Sequence, residues 1–280
     1  MGFLSNITLV FVAGLATALA TGLGAIPFFF VEDFSDRWNV GLWGIASGIM
    51  IAASLFGLIS EGLQYANEGL PTLMLAGLLA GVVLVEGSER VLDRIDLSTS
   101  DRDDDDTRLE AEAFADGDLK TLVLVLGILT VHSFPEGVAV GVSFAELGFA
   151  DGMDVFGVTI PVLAVFMTLA ISIHNIPEGT AIAIPMREMG LSKWRMVGAA
   201  VFSSLPQPIG AVIAFAFVTW AQAFLPFGFG FAAGAMIYLV FTEFIPEALK
   251  TGADLPHGGY RELAGGTLAG VVVMVPLLYI

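Results

Sequence analysis

Apolar residues run along the chain in eight long stretches separated by short polar ones, near 6–31, 40–64, 71–91, 120–145, 155–186, 193–221, 224–249 and 261–280. A helix rises about 1.5 Å per residue and a hydrocarbon core is about 30 Å thick, so roughly 20 apolar residues make one crossing. Each stretch is long enough. No period-two alternation of the kind that marks barrel strands is present. Helices are then the structure that satisfies its own backbone in lipid. The pattern predicts an all-α polytopic membrane protein with eight transmembrane helices in a single domain, 1–280. The first stretch has no basic segment before it and no small-residue cleavage site at its end, so it reads as a retained span rather than a signal peptide.

Composition agrees. Hydrophobic residues make up 56% of the chain and charged residues 14%, against about 25% charged in soluble domains; mean hydropathy is +0.84. The 11 Lys and Arg residues set the orientation, because positive charge is retained on the cytoplasmic side. With the N-terminus outside, Arg37 falls in the first cytoplasmic loop. Arg90, Arg94, Arg102, Arg108 and Lys120 fall in or beside the second, Arg187, Lys193 and Arg195 in the third, and Lys250 and Arg261 in the fourth. The outer loops hold none. This predicts an N-out, C-out protein of the cell (plasma) membrane.

Acidic residues outnumber basic ones, for a net charge of −17. Nucleic acid is excluded as a partner on that balance, and cations are favoured. The loop 92–118 concentrates the acid, with Asp103, Asp104, Asp105 and Asp106 in a row. It reads either as a solvated linker or as a cation-collecting surface. Cysteine is absent, which removes disulfides, thiol nucleophiles and thiolate metal sites. There is neither an H-E-x-x-H helix nor a Walker glycine loop.

Two spans repeat one motif. His132-Ser-Phe-Pro-Glu136-Gly-Val-Ala in the fourth matches His174-Asn-Ile-Pro-Glu178-Gly-Thr-Ala in the fifth. His and Glu at i and i+4 share a helix face. Each proline lacks an N–H and frees the carbonyl four residues earlier, on Val131 and Ile173. Gly137 and Gly179 permit close helix contact or local unwinding. A carboxylate inside a span costs on the order of 3 kcal/mol or more, and such groups usually mark an ion path. Two imidazoles and two carboxylates from facing helices suit a borderline divalent ion such as Zn²⁺.

Other intramembrane polar groups extend the set. Gln207, between two prolines, is either an amide that satisfies stray carbonyls or a neutral oxygen ligand at unwound backbone. Glu243 suits a proton or metal relay, and Glu61 an acidic mouth that admits the ion. Met50 offers a soft thioether, although methionine in a span is more often packing. His257, in Pro-His-Gly-Gly, reads as a turn residue. Glu86 and Arg90 read as an i,i+4 pair at a solvated helix end.

With these motifs the chain resembles the ZIP (ZRT/IRT-like) family of divalent metal transporters, in its prokaryotic branch with x-P-E-G in both helices. The resemblance spans nearly the whole chain. It implies a 3+2+3 arrangement of spans, a homodimer, and elevator-like movement of spans one, four, five and six against two, three, seven and eight. It implies a metal site formed by His132, Glu136, His174 and Glu178, with Gln207 where the family usually has Glu, and with Met50 reaching in from span two. Glu243 matches an auxiliary acid of span seven. Ser133 and Asn175 stand where relatives often carry Asn and Asp, so the second site of a binuclear pair is expected to be weak or absent.

The reading is a non-enzymatic importer in the lipid bilayer that carries Zn²⁺, with Cd²⁺, Fe²⁺, Mn²⁺ or Co²⁺ as alternatives, and that needs no organic cofactor. Two rivals use the same residues: an intramembrane zinc-dependent hydrolase that activates water on the metal, and a proton-coupled carrier of another solute.

Overall fold

A computed structural model describes residues 2–31, 34–65, 71–94, 119–147, 152–155 and 157–279. The acidic stretch 95–118, with its four consecutive aspartates, lies outside the described residues.

Among the described residues the chain forms eight helical rods. They are α1 (Phe3–Leu23), α2 (Asp36–Ala52, continuing through Ala53–Ile59 to Ser60–Gln64), α3 (Thr72–Arg94), α4 (Leu119–Ser143), α5 (Val162–Glu188), α6 (Lys193–Ser203 and Pro206–Trp220), α7 (Leu225–Leu239, continuing through Val240–Phe244 to Ile245–Thr251) and α8 (Tyr260–Met274). Among the described residues, five stretches are long and apolar enough to cross a membrane: Phe3–Phe29, Asp36–Gln64, Val162–Glu188, Lys193–Trp220 and Gln222–Thr251. The protein is an all-α polytopic membrane protein.

Three local features depart from the simple eight-stretch pattern. The fifth helix starts at Val162, not near 155, because β1 (Met153–Val155) and β2 (Val158–Ile160) form an antiparallel hairpin before it. The sixth rod breaks at Ser204 and Leu205, just before Pro206-Gln-Pro. Proline at the start of the second half sits where a helix needs no N–H donor. Both α2 and α7 pass through a π-helical stretch, Ala53–Ile59 and Val240–Phe244. Such insertions rotate the side chains that follow and recur at functional sites. Helix α5 ends at Glu188 and is closed by Gly190, whose φ of 73° lies in the left-handed region, while Leu191 N–H bonds back to the Met186 carbonyl at 3.0 Å. That is the 6→1 closure of a glycine C-cap.

The rods pack as two groups. Helix α1 lies against α5 and α6, and α4 against the second half of α6; α8 lies on α2, and α3 on α7. The groups meet where α2 touches α5 and α7 touches α4. Paired glycines hold the second group together. A Cβ on Gly48 would stand 2.1 Å from the Thr267 carbonyl oxygen, and one on Gly81 2.2 Å from that of Phe231. In lipid, where apolar surface gains nothing by leaving solvent, close backbone approach of this kind drives helix association.

Candidate metal centre

The two prolines of the repeated motif lie inside continuous helices, Pro135 in α4 and Pro177 in α5. The glycine of each copy does the packing. A Cβ on Gly137 would stand 2.2 Å from the Gln207 carbonyl oxygen, and one on Gly179 1.8 Å from that of Thr21. Without a side chain, α4 rests directly on the broken part of α6, and α5 rests on α1. These contacts bring Gln207 beside Glu136, and Thr17 beside Asn175.

Glu136, His174 and Glu178 then converge, each offering a ligand atom within 4.8 Å of the other two. All three are buried. His174 Nε2 lies 3.2 Å from Glu136 Oε1. The His174 ring stacks on Phe244 of the α7 π-helical stretch, with centroids 5.4 Å apart and planes 13° from parallel. Glu178 Oε2 is buried with no hydrogen-bond partner. A buried carboxylate oxygen left bare is costly, and a cation is the partner that suits it best.

Around this core runs a polar network. Gln207 Nε2 donates to Glu136 Oε2 at 2.5 Å. Gln207 Oε1 accepts from Thr17 Oγ1 at 2.6 Å and from Asn175 Nδ2 at 3.0 Å. Asn175 Nδ2 also donates to the Thr17 carbonyl at 2.8 Å. Ser133 Oγ donates to the Ser203 carbonyl at 3.1 Å, and Thr21 Oγ1 meets Ser204 Oγ at 2.7 Å. Hydroxyls from α1 and α4 thus satisfy polar groups where α6 breaks, as buried polar groups require.

His132 and Glu243 form a second pole. His132 stands outside the converging triad, and its Nε2 pairs with Glu243 Oε2 of α7. Glu178 interacts electrostatically with both members of this pair as well as with Glu136 and His174. It therefore feels the charge of both poles. Met50 is buried one turn beyond Ala46 on α2, and the Ala46 backbone interacts with His174.

A model of the ZIP zinc transporter matches residues 87–277, more than half of the chain. The chain belongs to the ZIP zinc transporter family. Zinc transporter ZIPB of Bordetella bronchiseptica is 32% identical over 272 residues, covering 94% of this chain and 78% of that protein. Zinc transporter GufA of Myxococcus xanthus is 29% identical over 273 residues, covering 95% and 96%. An Arabidopsis thaliana protein named for zinc transport, At3g08650, is 38% identical over 238 residues, which are 84% of this chain but 34% of that longer protein. ZIP proteins are transporters rather than enzymes, so the hydrolase alternative falls away.

Away from the centre of this ZIP protein, Glu61 follows the π-helical stretch of α2, where Gln64 Nε2 donates to it at 3.2 Å. It interacts electrostatically with Glu146, which in turn contacts the Tyr65 hydroxyl. His257 occupies a turn with φ 62° and ψ 27°. Glu86 pairs with Arg90 as the spacing suggests, and it also contacts the Tyr238 hydroxyl of α7. Spacing along the chain does not reveal the roles of Phe244 and Thr17. An aromatic after an intramembrane glutamate, and a threonine on the small-residue face of α1, were the only signals available.

Proposed function

We propose that this ZIP protein imports a divalent metal ion, Zn²⁺ foremost, with Glu136, His174 and Glu178 as the central ligands. The observation that carries the reading is the buried triad with the bare Glu178 oxygen. The relatives named as zinc transporters support Zn²⁺ as the ion. One imidazole and two carboxylates would also accept Cd²⁺, Fe²⁺, Mn²⁺ or Co²⁺, since these ligands do not by themselves discriminate. Met50 of α2 supplies a soft thioether to the ion. His132 joins the ion when its imidazole leaves Glu243, and Glu243 takes part as the relay. Nitrogen and oxygen ligands without thiolates favour exchange over permanent binding.

The positive charges orient the protein in the plasma membrane with both termini outside. On the side assigned to the cytoplasm, Arg37 lies 3.5 Å from Glu262, and Lys193 Nζ donates to the Phe29 carbonyl at 2.8 Å. The ion comes in near Glu61 and leaves toward the acidic stretch 95–118. The α1, α4, α5, α6 group moves against the α2, α3, α7, α8 group, within a homodimer. Metal binding displaces protons from His and Glu, so acid weakens it.

The test is Zn²⁺ uptake into proteoliposomes by the wild type beside His174→Ala and Glu178→Ala. Steep loss of uptake in both variants is expected. A well-folded wild type that binds Zn²⁺ and moves none would sink the proposal.

A further inference from the structure

Helices α2 and α5 meet along a seam that runs from the Glu61 end toward the metal centre. Two contacts fix its register. The Ala46 backbone interacts with His174. A Cβ on Gly57 would stand 3.1 Å from Met167 Sδ and 2.8 Å from the Phe166 ring. The two helices are therefore antiparallel here, and Met167 stands about 10 Å along α5 from His174. Glu61 follows Gly57 on α2 by about one turn. An ion that comes in near Glu61 and follows the seam to the centre passes between Gly57 and Met167.

Two side chains bring donor atoms into this otherwise apolar wall. Met167 is fully buried, and its sulfur points across the seam at a residue without a side chain. Ser54, one turn beyond Met50 on α2, is also fully buried, and its hydroxyl has no hydrogen-bond partner. Serines elsewhere in the spans donate to the carbonyl one turn earlier, as Ser47 does to Trp43 at 2.8 Å and Ser172 to Thr168 at 2.7 Å. Ser54 lies in the π-helical stretch Ala53–Ile59, where the backbone pairs over five residues rather than four, and it makes no such bond. A buried hydroxyl without a partner is costly, and a passing cation is a partner for its oxygen.

We propose that Met167 and Ser54 form a station for the ion between Glu61 and the centre, and that the Met167 thioether makes passage easier for soft divalent ions than for hard ones. The proposal rests on the reading of the triad as the site of the transported ion. The nitrogen and oxygen ligands of the triad do not discriminate among divalent ions, whereas a thioether favours soft ions over a hard ion such as Mn²⁺. Both donors are neutral, so they hold an ion too weakly to trap it. Their effect falls on the barrier that a dehydrated cation meets in an apolar wall, and sulfur lowers that barrier more for Cd²⁺ than for Mn²⁺. Met167 thus acts on the rate of passage and leaves the affinity of the centre alone.

The experiment measures kcat/KM for Cd²⁺ and for Mn²⁺ uptake into proteoliposomes, and the Kd of each ion by isothermal titration, in the wild type and in Met167→Leu. Leucine keeps the volume and removes the sulfur. The Cd²⁺-to-Mn²⁺ ratio of kcat/KM is expected to fall about 10-fold, as the loss of one weak ligand at the barrier predicts, with both Kd values unchanged. A purely structural role would slow the two ions alike, so an unchanged ratio overturns the proposal. A matching change in the ratio of the Kd values also overturns it, because Met167 would then act at the centre. Should Met167→Leu fail to fold, Ser54→Ala decides: slower uptake of both ions at an unchanged thermal midpoint supports the station, and wild-type uptake overturns it. A folded wild type that takes up neither ion overturns the ion-site reading and this proposal together, whereas an unchanged ratio in a working transporter removes the station alone.

Discussion

At the residue scale, Glu178 carries the most weight. It interacts electrostatically with both the Glu136–His174 pair and the His132–Glu243 pair, and its Oε2 has no hydrogen-bond partner. Glu178→Gln keeps the size and removes the charge. We expect metal affinity to fall at least about 100-fold, more than the 10- to 100-fold typical for groups behind a ligand, while the elution volume and helical content stay unchanged; isothermal titration with Zn²⁺ measures it. Phe244 tests the supporting shell. Its ring stacks on His174 without offering a ligand, so Phe244→Ala should weaken binding about 10-fold. An unchanged Kd would mean the stack does not orient the imidazole. At this scale the sequence was most legible in the two motif copies, because intramembrane His and Glu are rare. It was least legible in which of four ligand candidates meet. Helix spacing puts His132 on the face of Glu136, yet its Nε2 pairs with Glu243. The partner comes from α7, more than 100 positions away along the chain, and no local pattern encodes it.

At the element scale, the motif glycines are packing devices before they are anything else. A Cβ on Gly179 would be 1.8 Å from the Thr21 carbonyl oxygen. Backbone cannot yield as a flexible side chain can, so Gly179→Ala must push α5 off α1. Overpacking usually costs about 1–3 kcal/mol, and this contact lies at the upper end or beyond. Gly198, on the first half of α6, has nothing within 4 Å of such a Cβ. Gly198→Ala should be neutral or stabilising by up to about 1 kcal/mol, since alanine is the better helix former. Thermal unfolding of both variants in detergent checks the contrast, and equal midpoints would contradict the packing argument. The eight rods follow the eight apolar runs, and five of the stretches among the described residues are long and apolar enough to cross a membrane, because a backbone in lipid satisfies itself as helix. The π-helical stretches were not legible in that pattern. Ala53–Ile59 and Val240–Phe244 carry no proline or charge run that announces them. They arise from how α2 and α7 meet their neighbours, which is a tertiary matter. The break in α6 was partly legible, since Pro206 and Pro208 bracket Gln207.

At the scale of the whole molecule, the centre straddles the boundary between two helix groups. Glu136, His174 and Glu178 come from α4 and α5; Phe244, which stacks on His174, and Glu243, which pairs with His132, come from α7. Hydrogen bonds such as Thr180 Oγ1 to the Gly24 carbonyl, 2.9 Å, and Thr21 Oγ1 to Ser204 Oγ, 2.7 Å, tie the first group internally. If the groups move past one another to carry the ion, a covalent bond across their boundary must stop transport without touching a ligand. Gly228 of α7 and Val142 of α4 offer the place. A Cβ built on Gly228 stands 3.8 Å from Val142 Cβ, close to the mean separation of about 3.8 Å in disulfides. The chain has no cysteine of its own, so the pair Gly228→Cys and Val142→Cys forms one defined crosslink. Oxidation should abolish Zn²⁺ uptake into proteoliposomes and leave equilibrium binding at the centre within about twofold, and reduction should restore uptake. A binding site on rigid walls, open to each side in turn through small side-chain movements, would instead keep transporting when the groups are joined. Full uptake in a quantitatively oxidised sample would therefore rule out movement of one group against the other and leave the ion site itself intact.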